Sequence, residues 1–289
     1  MHTIIVNPVA GRGKAVNAAL KAAELLKSRG ADYQLAYTQY PKHAGELARR
    51  AAKEGCKSIL SVGGDGTLQE VVSGCVHEDV TVGAIPGGTG NDFIRALGIK
   101  NDVGLATQIV LEGHSRRVDV GIFEENAILN VAGCGFDVEV LQYARRFRKA
   151  LGKLGYVAGA VCTIFTHGYR PLTVRLDNEE FTCEPLMVTA ANGNYFGGGM
   201  RLAPNAEVDD GLFDVCVIDR VPRYVIPFLL PSFINGSYIK TKYVRTFRSS
   251  KVELIRANMD LNMDGEIIRT SAARITLEKQ ALSFYAPQG

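Results

Sequence analysis

The run Gly63-Gly64-Asp65-Gly66-Thr67 is the part of the sequence best suited to hold a phosphate group. It lies between a strand-like apolar segment and a helix-like one, so its amides and the helix N-terminus would form an anion cradle. Glycines also let the backbone come close to a polyphosphate. Asp65 would repel a phosphate unless a cation lay between them, which favours Mg²⁺. The alternative is an ordinary strand-to-helix turn in which Asp65 caps the helix.

Two further glycine-rich loops also follow strand-like segments. One is Pro86-Gly87-Gly88-Thr89-Gly90-Asn91-Asp92 and the other is Asn7-Pro8-Val9-Ala10-Gly11-Arg12-Gly13-Lys14. The second is not a P-loop, because Ala15 replaces the Ser or Thr, and it is not a Rossmann fingerprint, because Val16 replaces the third glycine. Loops of this kind at adjacent strand ends predict one shared binding site.

The elements that must position these loops alternate between strand and helix over residues 1–120. Strands are predicted at 3–6, 33–37, 58–62 and 80–85, and helices at 15–29, 44–54 and 68–77. This alternation is typical of an open parallel α/β sheet, in which ligands bind at the carboxyl ends of the strands. The three loops fall at those ends.

The pattern changes after about residue 120. Strands are predicted at 118–123, 127–132, 172–176, 186–191, 212–218, 252–256, 260–263 and 273–278, with one long helix at 137–166. We therefore expect a nucleotide-binding α/β domain over 1–120 and a mainly antiparallel β-sandwich domain over 121–289. The active site would lie in the cleft between them, and the last residues could pack back on the first domain.

Composition excludes several classes of protein. The net charge of only +3 does not imply a nucleic-acid-binding surface, and six singly spaced cysteines indicate reduced, mostly buried thiols. The N-terminus lacks the layout of a signal peptide, and no apolar run is long enough to span a membrane. We expect a cytoplasmic protein.

Together, the three loops and two later segments carry a family resemblance. The later segments are Asp209-Asp210-Gly211-Leu212 and Asp264-Gly265-Glu266. In this order the five resemble the diacylglycerol kinase catalytic domain superfamily, which includes soluble bacterial diacylglycerol and related lipid kinases and the sphingosine and ceramide kinases. The resemblance covers nearly the whole chain.

This resemblance implies a site for Mg²⁺-ATP, a general base and a structural metal site. The implied nucleotide-binding residues are Asn7, Pro8, Gly11, Arg12, Thr38, Gly63, Gly64, Asp65, Gly66, Thr67, Leu68, Gln69, Glu70, Thr89, Asn91, Asp92 and Arg95. The implied catalytic residues are Glu266, as general base, together with Asp65 and Asp119. A structural Mg²⁺ would be held by Asp210 and by the backbone carbonyls of Glu207 and Leu212.

For the segments of the second half, plainer interpretations stay open. Asp264-Gly265 could be a simple hairpin turn with Glu266 as a solvated neighbour, and the Asp209-Asp210-Gly211 turn need not bind metal. The bend Phe196-Gly197-Gly198-Gly199-Met200 could border a lipid entrance or only be flexible.

The predicted helix 137–166 bears on the substrate. Its apolar spacing is set by Phe147, Leu151, Leu154, Ala158 and Val161, and its middle carries Arg145, Arg146, Arg148, Lys149 and Lys153. A basic amphipathic helix can rest on an anionic membrane, although many such helices pack on their own domain. A second basic cluster at 240–251 could likewise contact the membrane or be ordinary surface.

We therefore expect an ATP-dependent kinase that phosphorylates a membrane lipid hydroxyl, most simply that of diacylglycerol, at an anionic membrane surface. A soluble-substrate kinase of the NAD kinase type and a catalytically inactive lipid or nucleotide sensor remain alternatives. No nucleic-acid partner is expected, and an exposed sheet edge leaves a homodimer open.

Overall fold

The first lobe (residues 1–114) is a parallel sheet covered by helices. The fold is a computed structural model that describes residues 1–151 and 155–288, without the side chains of 148–151 and 156. The strands are β1 (His2–Val6), β2 (Tyr33–Tyr37), β3 (Ser58–Gly63) and β4 (Thr81–Pro86), and the helices are α1 (Lys14–Ser28), α2 (His43–Lys53), α3 (Asp65–Cys75), α4 (Asp92–Ala96) and α5 (Val103–Glu112). The strand order β4-β3-β1-β2 is parallel throughout.

The predicted parallel sheet is confirmed, and its burial explains why. Every residue of β3 is buried, as expected for a strand covered on both faces. Helices α4 and α5 were not predicted. For α5 the signals were present, because Oδ1 of Asp102 accepts from the amide of Leu105 at 2.9 Å and Gly113 ends the helix with φ 75°.

The second lobe (residues 115–279) is mainly antiparallel, as predicted. Its strands are β5 (Ser115–Phe123), β6 (Asn126–Ile128), β7 (Val131–Gly135), β8 (Leu172–Arg175), β9 (Glu180–Cys183), β10 (Met187–Ala191), β11 (Phe213–Ile218), β12 (Val244–Ser249), β13 (Lys251–Met263) and β14 (Glu266–Tyr285). Its helices are α6 (Phe136–Leu151), α7 (Gly155–Thr166), α8 (Ile226–Leu229) and α9 (Ser232–Asn235). Strands β12-β11-β10-β7-β13-β14 are antiparallel neighbours, β8 pairs with β13, and β9 pairs with β8.

The single strand predicted at 127–132 was wrong. The chain breaks between β6 and β7, where the Asp264 carboxylate accepts hydrogen bonds from the amides of Leu129, Asn130 and Val131 at 2.6, 2.9 and 2.8 Å. A side chain therefore takes the donors that a strand neighbour would have used. Conversely, the two strands predicted at 252–256 and 260–263 are one strand, β13, with an irregularity in its pairing between Ile255 and Met259. Strands β9 and β12 were not predicted.

The single helix predicted at 137–166 was also wrong. Helices α6 and α7 are separate and pack on each other, and a Cβ added to Gly159 would lie 2.8 Å from the carbonyl oxygen of Val140. Glycine thus permits the close helix contact. Lys153 and Leu154 lie outside the described residues, as do the side chains of 148–151.

Strand β14 connects the two lobes. Its first half pairs with β13, and near its end Ser283 and Phe284 pair in parallel with Thr81 and Val82 of β4. Leu282 and Phe284 are buried in the core of the first lobe.

Two expectations about the whole chain can be checked here. All six cysteines are free thiols, four of them buried, as predicted. No helix in the described ranges has the length and apolar character needed to cross a membrane.

Candidate active site

The three glycine-rich loops meet at the carboxyl ends of β1, β3 and β4. The amide of Gly87 donates to the carbonyl of Gly63 at 2.8 Å. A Cβ on Gly88 would lie 2.8 Å from the amide nitrogen of Gly64, and one on Gly11 would collide with the carbonyl oxygen of Gly87. Glycine is therefore required because the loop backbones touch one another, and the loops form one surface.

The loops are numbered in chain order, as the first (Asn7–Lys14), the second (Gly63–Thr67) and the third (Pro86–Asp92). Asn7 ties the first loop to the second. Its Nδ2 donates to Thr67 Oγ1 at 3.1 Å, and its Oδ1 accepts from the amide of Val9 at 3.2 Å. Beyond the half-buried Pro8, residues Gly11, Arg12 and Gly13 have φ of 59°, 60° and 89°. This left-handed run leads directly into α1.

Two further residues predicted to bind the nucleotide are Arg12, within the loop Asn7–Lys14, and Thr38, directly after β2. Arg12 is exposed beside the start of α1, and Thr38 follows β2, where its amide donates to the Val6 carbonyl at 2.9 Å. Both lie near the carboxyl ends of strands, and their contact with a nucleotide stays a prediction.

Asp65 has a partner that the sequence did not reveal. One carboxylate oxygen accepts from the amides of Asp92 and Phe93 at 2.6 and 3.3 Å, and the other accepts from the amide of Asn91 at 2.7 Å. It therefore caps α4 of the third loop, whereas its own helix, α3, is preceded by Gly64 with no side-chain cap. Asp65 joins the second loop to the third.

Asp92 connects the third loop to the second lobe. Oδ2 of Asp92 accepts from the amide of Gly198 at 2.7 Å, and Oδ1 accepts from Arg95 at 2.5 Å. Burial raises the pKa of Asp92, the Gly198 amide opposes that rise, and the charge of Asp65 adds to it. The glycine-rich bend Phe196–Met200, whose role the sequence left open, thus lies against this loop, and the Arg95 guanidinium lies 5.4 Å from the ring centre of Tyr195.

Other predicted nucleotide residues have side chains that serve the fold. Leu68 is buried, Gln69 donates to the carbonyl of Ala127 at 3.0 Å, and Glu70 accepts from the amide of Ala44 at 3.2 Å. Asn91 donates to Asn101, and Thr89 is exposed at the tip of its loop. Gly66 lies in the first turn of α3, and a Cβ added to it would meet no atom of the described residues within 4 Å.

The predicted base, Glu266, begins β14 directly after the turn at Asp264-Gly265. Its side chain is exposed, and within the described part of the chain its carboxylate has no hydrogen-bond partner. Arg145 of α6 donates to the carbonyl of Gly265 at 2.6 Å. The turn is therefore anchored while Glu266 is free to contact a ligand.

Asp264 places this turn near the first lobe. Burial raises its pKa to about 6, the three amides of residues 129–131 oppose that rise, and the charge of Asp65 adds to it. The Asp264 carboxylate holds the amide of Leu129, and the carbonyl of nearby Ala127 accepts from Gln69 of α3. The turn that carries Glu266 is therefore linked to the helix that begins in the Gly63–Thr67 loop. The sequence identified this turn but gave no sign that Asp264 holds the β6–β7 corner.

The predicted catalytic Asp119 is fully buried and bonded on both oxygens. It accepts from the amides of Gly211 and Gln280, each at 2.6 Å. Among the described residues its carboxylate makes no hydrogen bond to any of the three loops. Asp119 thus has a structural role, because it holds the turn at Gly211 against β14 at Gln280, where the pairing of β14 with β5 is irregular.

The structural Mg²⁺ site at Asp210 and the carbonyls of Glu207 and Leu212 stays a prediction. Asp210 Oδ1 accepts from the amide of Leu212 at 2.9 Å, and its other oxygen is paired with Arg248. Glu207 is exposed. Across the parts of the chain that the structure covers, no group of three or more His, Cys, Asp or Glu residues is arranged to hold a metal ion.

Comparison with known proteins agrees with this geometry. Residues 1–123 match the model of the diacylglycerol kinase catalytic domain, and residues 130–286 match that of the YegS C-terminal NAD kinase beta sandwich-like domain. A diacylglycerol kinase of Mycobacterium tuberculosis (strain H37Rv) is 30% identical, over 99% of this chain and 95% of its own length. That of Bacillus subtilis is 28% identical, over 91% of this chain and 88% of its own length.

Solved structures show the same fold. A crystal structure from Bacillus anthracis matches with a TM-score of 0.82 at 24% identity, covering 99% of this chain and 97% of that one. A diacylglycerol kinase structure from the same organism gives 0.76 at 22% identity, covering 99% and 96%. The chain therefore belongs to the diacylglycerol kinase family and is a phosphotransferase with an alcohol group as acceptor.

Proposed function

We propose that this kinase transfers the γ-phosphoryl group of ATP to the hydroxyl of a membrane lipid, diacylglycerol or a close relative. One observation carries the proposal. Three glycine-rich loops touch through their backbones. The turn that presents the exposed Glu266 is linked to α3, which begins in one of these loops, through the Asp264–Leu129 and Gln69–Ala127 hydrogen bonds. Phosphoryl transfer requires this pairing of a polyphosphate cradle with a group that orients the acceptor hydroxyl.

The loops supply the phosphate cradle. Helices α1 and α3 begin within them, so their free amides and the positive ends of their dipoles point toward the same space. Arg12 adds an exposed cation at the start of α1. Binding would thus depend chiefly on backbone amides, since many loop side chains are engaged in the fold.

Mg²⁺ would arrive with the nucleotide. Asp65 and Asp92 are only partly suited to coordinate Mg²⁺ directly, because both oxygens of each carboxylate already accept hydrogen bonds. Mg²⁺ commonly retains water and is held by substrate phosphates with one or two carboxylates. Asp65 and Asp92 would then hold it mainly through water, and it would supply neutralisation of the phosphate charge.

Glu266 would act as general base. Its exposed carboxylate stands at the end of an anchored turn and would accept the proton of the lipid hydroxyl as the oxygen attacks phosphorus. A positioned base of this kind contributes on the order of 10²–10⁴ in rate. Arg145, bonded to the neighbouring carbonyl, would fix the direction in which Glu266 points.

The lipid acceptor is inferred from relatives. The proteins of Mycobacterium tuberculosis and Bacillus subtilis that align over most of this chain are named diacylglycerol kinase. A single diacylglycerol hydroxyl beside two acyl chains requires an enzyme that works at a membrane, because each CH₂ extracted into water costs roughly 0.8 kcal/mol.

The proposal is tested by incubating the protein with labelled ATP, Mg²⁺ and a panel of lipids in mixed micelles. The panel contains diacylglycerol, monoacylglycerol, phosphatidylglycerol, a polyprenol and a sphingoid base, and NAD serves as the soluble acceptor. We expect label in one lipid class and none in NAD. Label in NAD alone would refute the lipid assignment.

Glu266→Gln provides the matched control for the chemical step. The substitution keeps the size and exposure of the side chain but removes the base. We expect at least about a 10²-fold loss of kcat with nucleotide affinity retained, measured by fluorescent nucleotide displacement. Turnover like that of the wild type would remove Glu266 from the mechanism.

A further inference from the structure

Two rows of exposed apolar side chains lie on the helices of the second lobe. On α7 the residues Val157, Val161 and Phe165 recur every four positions and are 62%, 49% and 70% exposed. Near and within α8 and α9, Tyr224, Phe228 and Ile234 are 77%, 81% and 67% exposed. Large apolar side chains grouped in this way mark an interaction surface more often than isolated ones do.

The two rows are neighbours. The guanidinium of Arg223 donates to the carbonyl of His167 at 3.1 Å, which joins the end of α7 to the segment before α8. Ile164 of α7 and Ile226 of α8 are buried in the same core cluster. The two helices thus share a core on their buried sides, and we call the two exposed rows the apolar face.

The charge around the apolar face is mainly positive. Arg220 and Arg245 are paired with Glu184 and Asp219, and Glu139 contacts His167, whereas in the described residues Arg170, Lys240 and Lys242 are exposed and form no ion pair. Segment 140–172 contains six Lys and Arg residues, of which Arg145, Arg146 and Arg170 have described side chains, and segment 220–245 contains five. Neither segment contains any of the chain's 30 Asp and Glu residues, although the whole chain has 33 Lys and Arg against those 30. Arg170 and Arg223 are exposed beside the rows themselves.

We propose that the apolar face is the surface by which the kinase docks on an anionic lipid bilayer. This inference rests on the proposed function and names the surface that serves it. Exposed Phe and Val side chains on short helices would enter the region between headgroups and acyl chains. The cations around them would contact anionic headgroups, each contributing about fivefold to binding.

The docking surface is mechanically attached to the catalytic turn. Helix α6, which packs on α7, holds the hairpin of β13 and β14 through three side-chain contacts. Asn262 donates to Asp137 at 3.0 Å, Gln142 donates to Asp260 at 3.0 Å, and Arg145 donates to the carbonyl of Gly265 at 2.6 Å. A bilayer that touches α7 would therefore be close to the turn that presents Glu266.

The test compares binding to sucrose-loaded vesicles of phosphatidylcholine with and without phosphatidylglycerol, measured by sedimentation. We expect the wild type to bind the anionic vesicles more tightly. The double variant Phe165→Gln/Phe228→Gln should bind them about tenfold more weakly or worse. Arg170→Gln, which leaves the Arg223–His167 bond in place, should weaken only the preference for phosphatidylglycerol. The control is Leu20→Gln/Leu105→Gln, which replaces two leucines of the first lobe that are 52% and 48% exposed.

A second measurement separates docking from chemistry. Activity on long-chain diacylglycerol in vesicles should fall with binding in the Phe165/Phe228 variant, whereas kcat on a short-chain, monomeric diacylglycerol should match the wild type. That second value also shows that the variant is folded.

Three results would overturn the proposal. They are unchanged vesicle binding in the Phe165/Phe228 variant, an equal loss in the leucine control, and a wild-type dimer that this variant converts to monomers. Vesicle binding as expected, in a protein that phosphorylates no lipid, would instead refute the proposed function and leave the docking surface standing.

Discussion

Replacing Gly88 by alanine probes the contact between the second and third loops. An added Cβ would lie 2.8 Å from the amide nitrogen of Gly64, against an ordinary contact of at least 3.4 Å, and closer still to the Cα of Gly64. The neighbours are backbone atoms, so neither can rotate out of the way. The Cα of Gly64 would lie only 2.3 Å from the added Cβ, so the loops must separate by about 1.1 Å.

The functional cost follows from this displacement. A misplacement of about 1 Å in an active site can cost about 10²-fold, so we expect kcat/KM for ATP to fall about tenfold or more. Overpacking of this kind should also lower the free energy of unfolding by about 1–3 kcal/mol.

The assay is steady-state phosphorylation of micellar lipid at varied ATP, together with urea unfolding. Gly168→Ala is the control, because a Cβ there meets no atom within 4 Å and its φ is not in the left-handed region. A Gly88→Ala protein with wild-type kcat/KM for ATP would show that the loop contact does not shape the nucleotide site.

Three further predictions address the side chains that fix the site. Asp65→Asn should lower the free energy of unfolding by about 1–3 kcal/mol and raise KM for ATP. The reason is that an amide side chain cannot accept from all three backbone donors at the start of α4. An unchanged urea midpoint would contradict this prediction. Arg145→Ala should lower kcat about tenfold at constant KM for ATP, and Arg145→Lys should recover part of that loss. Among the described side chains, Arg146 makes no bond to the turn and lies over the ring of Tyr143, so Arg146→Ala should leave kcat unchanged. The pKa of Asp264 is about 6 in the folded protein against 3.8 as its ordinary value, so this carboxyl group favours folding below about pH 4 and that contribution is lost as the pH rises through about 6. The stability of the wild type relative to Asp264→Asn should therefore fall by about 2–3 kcal/mol over that range of pH in urea titrations, and a constant difference would refute it.

The first lobe was predictable because its signals are local. A run of buried residues such as β3 and a glycine loop such as Gly63–Gly64 are written in adjacent positions of the sequence. The same holds for the placement of Glu266, since an Asp-Gly turn followed by a strand is a short-range pattern.

The features that the sequence did not predict depend on contacts between residues far apart in the chain. The break between β6 and β7 depends on Asp264, 135 residues from Leu129 along the chain. The partner of Asp65 is a helix that begins at Asp92, and the anchor of Gly265 is Arg145, 120 residues away. No pattern within a strand or helix carries that information, so the residue types of the site could be predicted but not their bonds.

Strand β14 sets an order of events during synthesis. Strand β4 of the first lobe pairs with Ser283 and Phe284, and Thr81 Oγ1 donates to Ser283 Oγ, 202 residues later in the chain. While the ribosome is still making the second lobe, one edge of the first sheet has no neighbour and Phe284 is missing from its core. The first lobe should therefore reach its full stability only after the second lobe has been made, and an interrupted nascent chain would leave it with an open, aggregation-prone edge.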